Sequence, residues 1–121
     1  MKKISKPKTI AKKIVECMLE KKAYNITVID VVGLTALTDI FIICTSDSTP
    51  QSKAITNHIK DKLVKHNLKP WNIEGHEQMK WVLIDYINVV IHIFDQESRE
   101  YYNFEHLWSD GKIQHIKDSN K

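Results

Sequence analysis

Between Met79 and Phe94 the chain reads MKWVLIDYINVVIHIF. β-Branched and aromatic residues dominate both arms of this stretch, as strands prefer. The pattern predicts two strands, Lys80–Asp85 and Val89–Phe94, with Ile87-Asn88 as a two-residue loop between them. Side chains alternate along a strand, so such a loop sorts the hairpin into two faces. Val82, Ile84, Tyr86, Val89, Ile91 and Ile93 form one face, almost pure hydrocarbon, which belongs beneath helices. Trp81, Leu83, Asp85, Val90, His92 and Phe94 form the other, a mixture of large aromatics, a carboxylate and an imidazole. That mixture resembles binding surfaces, which are enriched in Trp, Tyr and Phe. A plainer reading has Asp85 and His92 merely hydrogen-bonded at a sheet end.

The remaining pattern fills in the elements around this hairpin. Ile10, Ile14, Cys17 and Met18 recur at helical spacing within Pro7–Lys22, with lysines on the opposite side. Pro7 suits a first helical turn, where its missing N–H is not needed. Asn25–Val32 alternates as a strand and is broken by Gly33. Asp39–Thr45 (DIFIICT) is nearly continuous hydrocarbon, the mark of a central strand buried on both faces. A second helix follows to His66, with Thr49 expected as N-cap, Pro50 at the first position and Asn67 ending it in a left-handed conformation. Trp71–Ile73 is a short strand, and Asp39–Thr45, the helix and Trp71–Ile73 make a parallel crossover. After the hairpin, Asp95 caps a third helix, Gln96–Tyr102, and Phe104–Trp108 forms a further short turn. The expectation is a single-domain α/β fold, a mixed five-stranded sheet packed with helices. Its domain runs from residue 7 to 110, with loose tails at 1–6 and 111–121.

Composition limits the chemistry. The chain has 121 residues, enough for one domain, and an apolar fraction of 42% supports one core. No apolar run nears the roughly 20 residues of a membrane span, and the basic start MKKISKPKTIAKK lacks the apolar core of a signal peptide. A cytosolic protein is expected. Cys17 and Cys44 lie in apolar segments and read as small buried hydrophobes, with no C-x-x-C pair for zinc. The net charge of +3 is uneven: residues 1–22 carry +6 and the rest −3. The lysines of residues 2–13 admit either a solvated helix end or contact with RNA.

Gly33, Gly75 and Gly111 stand far apart, so no glycine-rich loop can wrap a phosphate, and Walker and dinucleotide sites are excluded. Thr45-Ser46-Asp47-Ser48 precedes a helix and reads as capping and turn duty. Six histidines are scattered with no H-x-x-x-H spacing, although His76 and Glu77 lie near the hairpin. Asp39 and Asp85 are the one candidate carboxylate pair. Trp81, Phe94, Tyr101, Tyr102, Phe104 and Trp108 concentrate in the last third; of these Trp81 and Phe94 read as docking anchors, whereas Phe104, Leu107 and Trp108 read as core.

The succession TDIFIICTS, a helix with SKAI, then IEG, WVLIDY, VVIHIF and ESREYYNFEHLW resembles the ribosomal silencing factor family, RsfS, also called Iojap. The likeness spans Ile26 to Trp108. It implies a nucleotidyltransferase-like α/β fold without that enzyme's Gly-Ser motif, and a translation factor rather than an enzyme. The implied partner is the large ribosomal subunit, through large-subunit ribosomal protein fourteen on the face that meets the small subunit. Subunit joining is then blocked, with no cofactor, metal, membrane or sequence-specific nucleic acid, and members are often homodimers. Family-like positions include Asp30, Thr38, Thr45, Gly75, Arg99, Tyr102, Leu107 and Trp108. The residues implied for the ribosomal contact are Trp81, Leu83, Asp85, His92 and Phe94, with Asp39 and Glu74. At Ile87-Asn88 the family usually has Gly-Asp, which leads to the expectation of a wider turn here, because Ile disfavours positive φ. Pro50 and Gln51 also depart from the family's small or basic residues. Two other classes remain: an RNA-binding ribosome-assembly factor, and a divergent nucleotidyltransferase holding magnesium on Asp39 and Asp85.

Overall fold

Helix α1, Pro7–Glu20, buries the stripe Ile10, Ile14, Cys17 and Met18 and begins on its proline. The computed structural model of the chain describes residues 6–75 and 79–117. Most of the 1–6 segment and His76 and Glu77 lie outside that range. Strand β1 (Tyr24–Asp30) leads to β2 (Ile40–Ser46), every residue of which is buried, as its hydrocarbon run requires. Helix α2 (Thr49–Val64) and β3 (Asn72–Glu74) follow, then β4 (Trp81–Asp85), β5 (Val89–Asp95), α3 (Gln96–Tyr102), α4 (Phe104–Leu107) and β6 (Lys112–His115).

The six strands form one sheet in the order β3-β4-β5-β2-β1-β6. β2 and β5 run parallel at its centre, and every other pair is antiparallel. Two expectations are corrected. The crossover through α2 does not bring β3 beside β2; β5 and β4 lie between them. The segment after Gly111 is not a loose tail, because residues 112–115 pair with β1 from Asp30↔Lys112 to Thr27↔His115 and add a sixth strand. Gly111 makes that return possible. A Cβ there would stand 2.7 Å from Ile29 Cγ2 and 2.9 Å from the Asp30 carbonyl, closer than packed atoms approach.

One sheet face lies under α1 and α2. Ile14, Met18, Ile55, Ile59 and Leu63 pack there against Val82, Ile84, Val89, Ile91 and Ile93. The cap of α2 is Ser48, not Thr49, and its side chain accepts from Gln51 N at 3.1 Å. Gln51 then ties this loop to α1: its Oε1 accepts from Asp47 N, and its Nε2 donates to the carbonyls of Lys21 and Lys22. The polar loop is thus used in capping. Asn67 ends the helical segment at φ 63, in the left-handed region. No helix among the described residues is long and apolar enough to cross a membrane.

The hairpin pairs as its alternation predicts, with Trp81↔Phe94, Leu83↔His92 and Asp85↔Val90 on one face. The expected wider turn does not occur. Tyr86 N donates to the Val89 carbonyl and Asn88 N to the Tyr86 carbonyl, both at 2.9 Å, so the loop has two residues. Ile87 takes φ 74 to close it, as the centre of a γ-turn.

Candidate functional site

The second sheet face carries Ile29 of β1 and Val31 just after it, Phe41 and Ile43 of β2, and Val90 and Phe94 of β5, with Trp81, Leu83, Phe104 and Trp108 packed on them. Helices α3 and α4 reach this face because β5 runs straight into α3. Asp95 caps the junction, accepting from Ser98 N at 2.7 Å. Asn103 at φ 44 then turns the chain into α4. Arg99 fastens the pair to the sheet. Its guanidinium donates to Thr45 Oγ1 at 2.8 Å, to Thr27 Oγ1 at 3.1 Å and to the Asn25 carbonyl, and it grips Glu105 with two nitrogens. Such forked pairs fix orientation as well as adding energy.

Over the sheet the aromatic rings form a continuous layer. Phe104 lies edge-on to Phe41 at 5.0 Å between centroids, and Trp108 sits on Phe41 at 5.1 Å. Trp81 stacks on Phe94 at 4.9 Å, and Tyr102 covers Trp81 at 4.6 Å. Trp81 Nε1 donates to His92 Nδ1 at 2.9 Å. An indole nitrogen only donates, so Nδ1 must be unprotonated and the imidazole proton resides on Nε2. Nε2 is buried and has no hydrogen-bond partner. Burial drives the His92 pKa down to about 3, because the charged ring loses its solvation there.

These contacts redistribute the expected roles. Phe94 is 0% exposed and His92 2%, so neither is itself a docking anchor; they form the floor under Trp81. Trp81 and Leu83 are half-buried and do face outward at the β4 side of the sheet. Asp85 and His92 are each hydrogen-bonded, as the plainer reading had it, Asp85 to the turn and His92 to Trp81. Asp85 Oδ1 accepts from Ile87 N at 2.7 Å and closes the turn. Asp39, half-buried, stands at this same end, its backbone bonded to the Asn88 carbonyl. Asp39 and Asp85 belong to no cluster of three or more ligating groups among the described residues. Glu74 is exposed on β3, opposite Leu83, and accepts from Asn72 Nδ2. Leu107, expected in the core, is 72% exposed, whereas Phe104 and Trp108 are half-buried in the layer.

The family model described as "Ribosomal silencing factor during starvation", RsfS, matches residues 4–121. The chain belongs to the RsfS family. Within it, the chain is 36% identical to the ribosomal silencing factor RsfS of Bacillus subtilis, across 78% of this chain and 80% of that one. It is similar also to a mouse protein named for mitochondrial assembly of the ribosomal large subunit, 32% identical over 79% of this chain and 43% of that longer one. A crystal structure of a Chromobacterium violaceum protein superimposes with a TM-score of 0.84 at 32% identity, covering 95% of this chain and 97% of that one. Membership in RsfS places the chain among ribosome-related regulators of translation, and the mixed α/β sheet is that of its structural neighbours.

Sequence reasoning did not single out Phe41 or Tyr102 for the site, nor Arg99 as the tether that positions it. Phe41 lies in a strand buried on both faces, where alternation carries no information about which side a residue takes. A signal for Arg99 was present: it is the only arginine in the chain, amid 17 lysines, and arginine suits a forked, partly buried contact.

Proposed function

We propose that this chain binds the large ribosomal subunit through large-subunit ribosomal protein fourteen and sterically blocks joining of the small subunit. The observation that carries the reading is the incompletely roofed aromatic layer. Trp81 and Leu83 face outward at the β4 side, and Tyr102, 49% exposed, lies on the Trp81 ring. A preformed aromatic anchor in a fixed rotamer binds without ordering cost, as binding hot spots do. Phe94 and His92 hold Trp81 from below, and the carboxylates of Glu74, Asp85 and Asp39 supply a polar, acidic rim for a basic ribosomal partner. The family name and the printed name of the mouse relative support the ribosomal assignment. The mechanism needs no reaction and no cofactor, and it places the protein in the cytoplasm with the ribosomes.

Sedimentation of ribosomal subunits with excess protein tests the function, and a pull-down on the purified ribosomal protein tests the surface. Wild-type protein should raise the free-subunit fraction. Trp81→Ala should weaken capture by about 2 kcal/mol or more, as loss of a hot spot does. Tyr102→Ala should weaken it with less effect on melting, because that ring is half in solvent. Normal subunit coupling under excess protein refutes the function, and wild-type capture by both variants refutes the surface.

A further inference from the structure

On the other side of the sheet, α1 and α2 bring together three side chains that the ribosomal reading leaves unused. Cys17 and Glu20 are three residues apart on α1 and therefore share a face. His58 projects from the middle of α2 onto them. Cys17 Sγ, a Glu20 carboxylate oxygen and a His58 ring nitrogen all lie within 4.8 Å of one another. His58 Nε2 and Glu20 Oε1 are 2.7 Å apart. A hollow of about 220 Å³ between the two helices is lined by Cys17 and Glu20, with Glu16, Lys13 and Lys62 around them.

We propose that Cys17, Glu20 and His58 form a binding site for a thiophilic divalent cation, with zinc the best match. The donor set decides the class of ion. One sulfur, one imidazole nitrogen and one carboxylate oxygen suit zinc and its borderline neighbours, whereas magnesium and calcium take oxygen alone. Zinc bound at about 2.0–2.3 Å sets tetrahedral ligands roughly 3.2–3.8 Å apart. The present separations bracket that range. Glu20 and His58, at 2.7 Å, must part slightly to share an ion.

Electrostatics shape the binding. Burial, aided by the Glu20 carboxylate and then Glu16, pushes the Cys17 thiol up to about 11, against the pull of Lys62 and Lys13. The free site therefore holds a protonated thiol. Binding breaks the S–H bond, forms the S–Zn bond and releases that proton to solvent, and the proton by which His58 Nε2 meets the Glu20 carboxylate must also leave that nitrogen, to Nδ1 or to solvent, before it ligates. Thiolate and carboxylate then balance the ion's two charges, and the neutral imidazole adds none. Lys62 on α2 and Lys13 on α1 oppose the cation, and Glu16 favours it. The site lies across the sheet from the aromatic layer, so it stands or falls independently of the ribosomal reading.

The test uses the untagged full chain, stripped of metal by a chelator, then titrated with zinc against a chromophoric chelator and separately with cobalt. Wild type should take up one zinc per chain with release of at least one proton at neutral pH. Cobalt should give a thiolate charge-transfer band in the near ultraviolet. Cys17→Ala and His58→Gln should each weaken uptake by at least about tenfold, the loss seen even for outer-shell changes, and Cys17→Ala should abolish the cobalt band. Cys44→Ala should change neither, since Cys44 lies in the sheet core. Circular dichroism of each metal-free variant confirms its fold before titration. No zinc uptake by wild type overturns the proposal. So does uptake that survives in both variants, or cobalt binding without the thiolate band.

Discussion

Acidification should strike the aromatic layer first, through His92. In the folded chain its ring is neutral, with a pKa of about 3 set by burial, and it accepts the Trp81 indole proton. Released from the fold, it regains the ordinary value near 6.5. Between pH 6.5 and 3 the unfolded state therefore binds a proton that the folded state refuses, so stability rises with pH across that window and falls as pH drops. Each pH unit below 6.5 removes up to about 1.4 kcal/mol, so a shift from pH 7 to pH 5 removes about 2 kcal/mol. Below pH 3 the loss from this group levels off. Protonation would also turn Nδ1 from acceptor to donor, facing the Trp81 N–H, so the anchor loosens as the fold weakens. The control is His92→Asn, whose carbonyl oxygen can stand in for Nδ1 as acceptor but cannot titrate. Urea unfolding of both proteins at pH 7 and pH 5 measures the difference. The variant should start less stable, from its lost packing against Phe41 and Phe104, yet lose about 2 kcal/mol less on acidification. An equal loss in the two proteins refutes the account, as does a His92 ring proton titrating near pH 6.5 by NMR in the folded state.

Two further predictions follow from the backbone and the tether. Ile87→Gly should stabilise the chain by about 1 kcal/mol, since a β-branched residue at φ 74 carries about 1–3 kcal/mol of strain and glycine's own entropic cost is about 0.5–1 kcal/mol; an unchanged or lowered urea midpoint would count against it. Arg99→Met keeps the alkyl stem but frees Thr27, Thr45 and Glu105, and should destabilise by about 2 kcal/mol or more. Its amide exchange should accelerate first in residues 96–107, and uniform acceleration would show that Arg99 does not fasten that segment in particular.

The parts of the fold that could be read from sequence are those in which one residue's environment is set by its own neighbours. The hairpin faces followed from strict alternation, and the cap at Asp95 followed from a short polar residue ahead of helix-forming chain. β6 could not be read this way. All four of its residues are exposed, so the segment gains no burial of its own and is held by its ladder to β1. Its one sequence sign was Gly111, whose role emerges only once β1 is known to pass 3 Å away. The site divided along the same line. That Trp81, Leu83, His92 and Phe94 share a face is a local fact and was legible. How deeply each lies is decided by α3 and α4, whose position depends on Arg99 contacts 54 to 74 residues distant in sequence. Sequence therefore could not show that Phe94 and His92 form a floor while Trp81 stays at the surface.

The unequal roofing of the two faces explains why a surface remains for a partner. Helices of 14 and 16 residues give the hydrocarbon face about 45 Å of rod, and those of 7 and 4 residues give the aromatic face about 16 Å. A sheet of six strands is about 24 Å wide, so the short pair covers only part of it. Which part is fixed by the tether: Arg99 bonds to β1 and β2, and Phe104 rests on Phe41 of β2 and His92 of β5. The roof thus sits over β5, β2 and β1, and of it only Tyr102 and the edge of Phe104, among the described residues, reach Trp81 on β4. Trp81 lies at its edge, partly covered, and Leu83, half-buried, stands further along β4 on the same face. The strand outside them, β3, has three residues, and a short edge offers little ladder for a foreign strand to extend. Under the proposed function, a partner at this end meets side chains set in a rigid layer and finds little strand to extend, so substitutions at Trp81 and Tyr102 should weigh on binding more than any change to the β3 backbone.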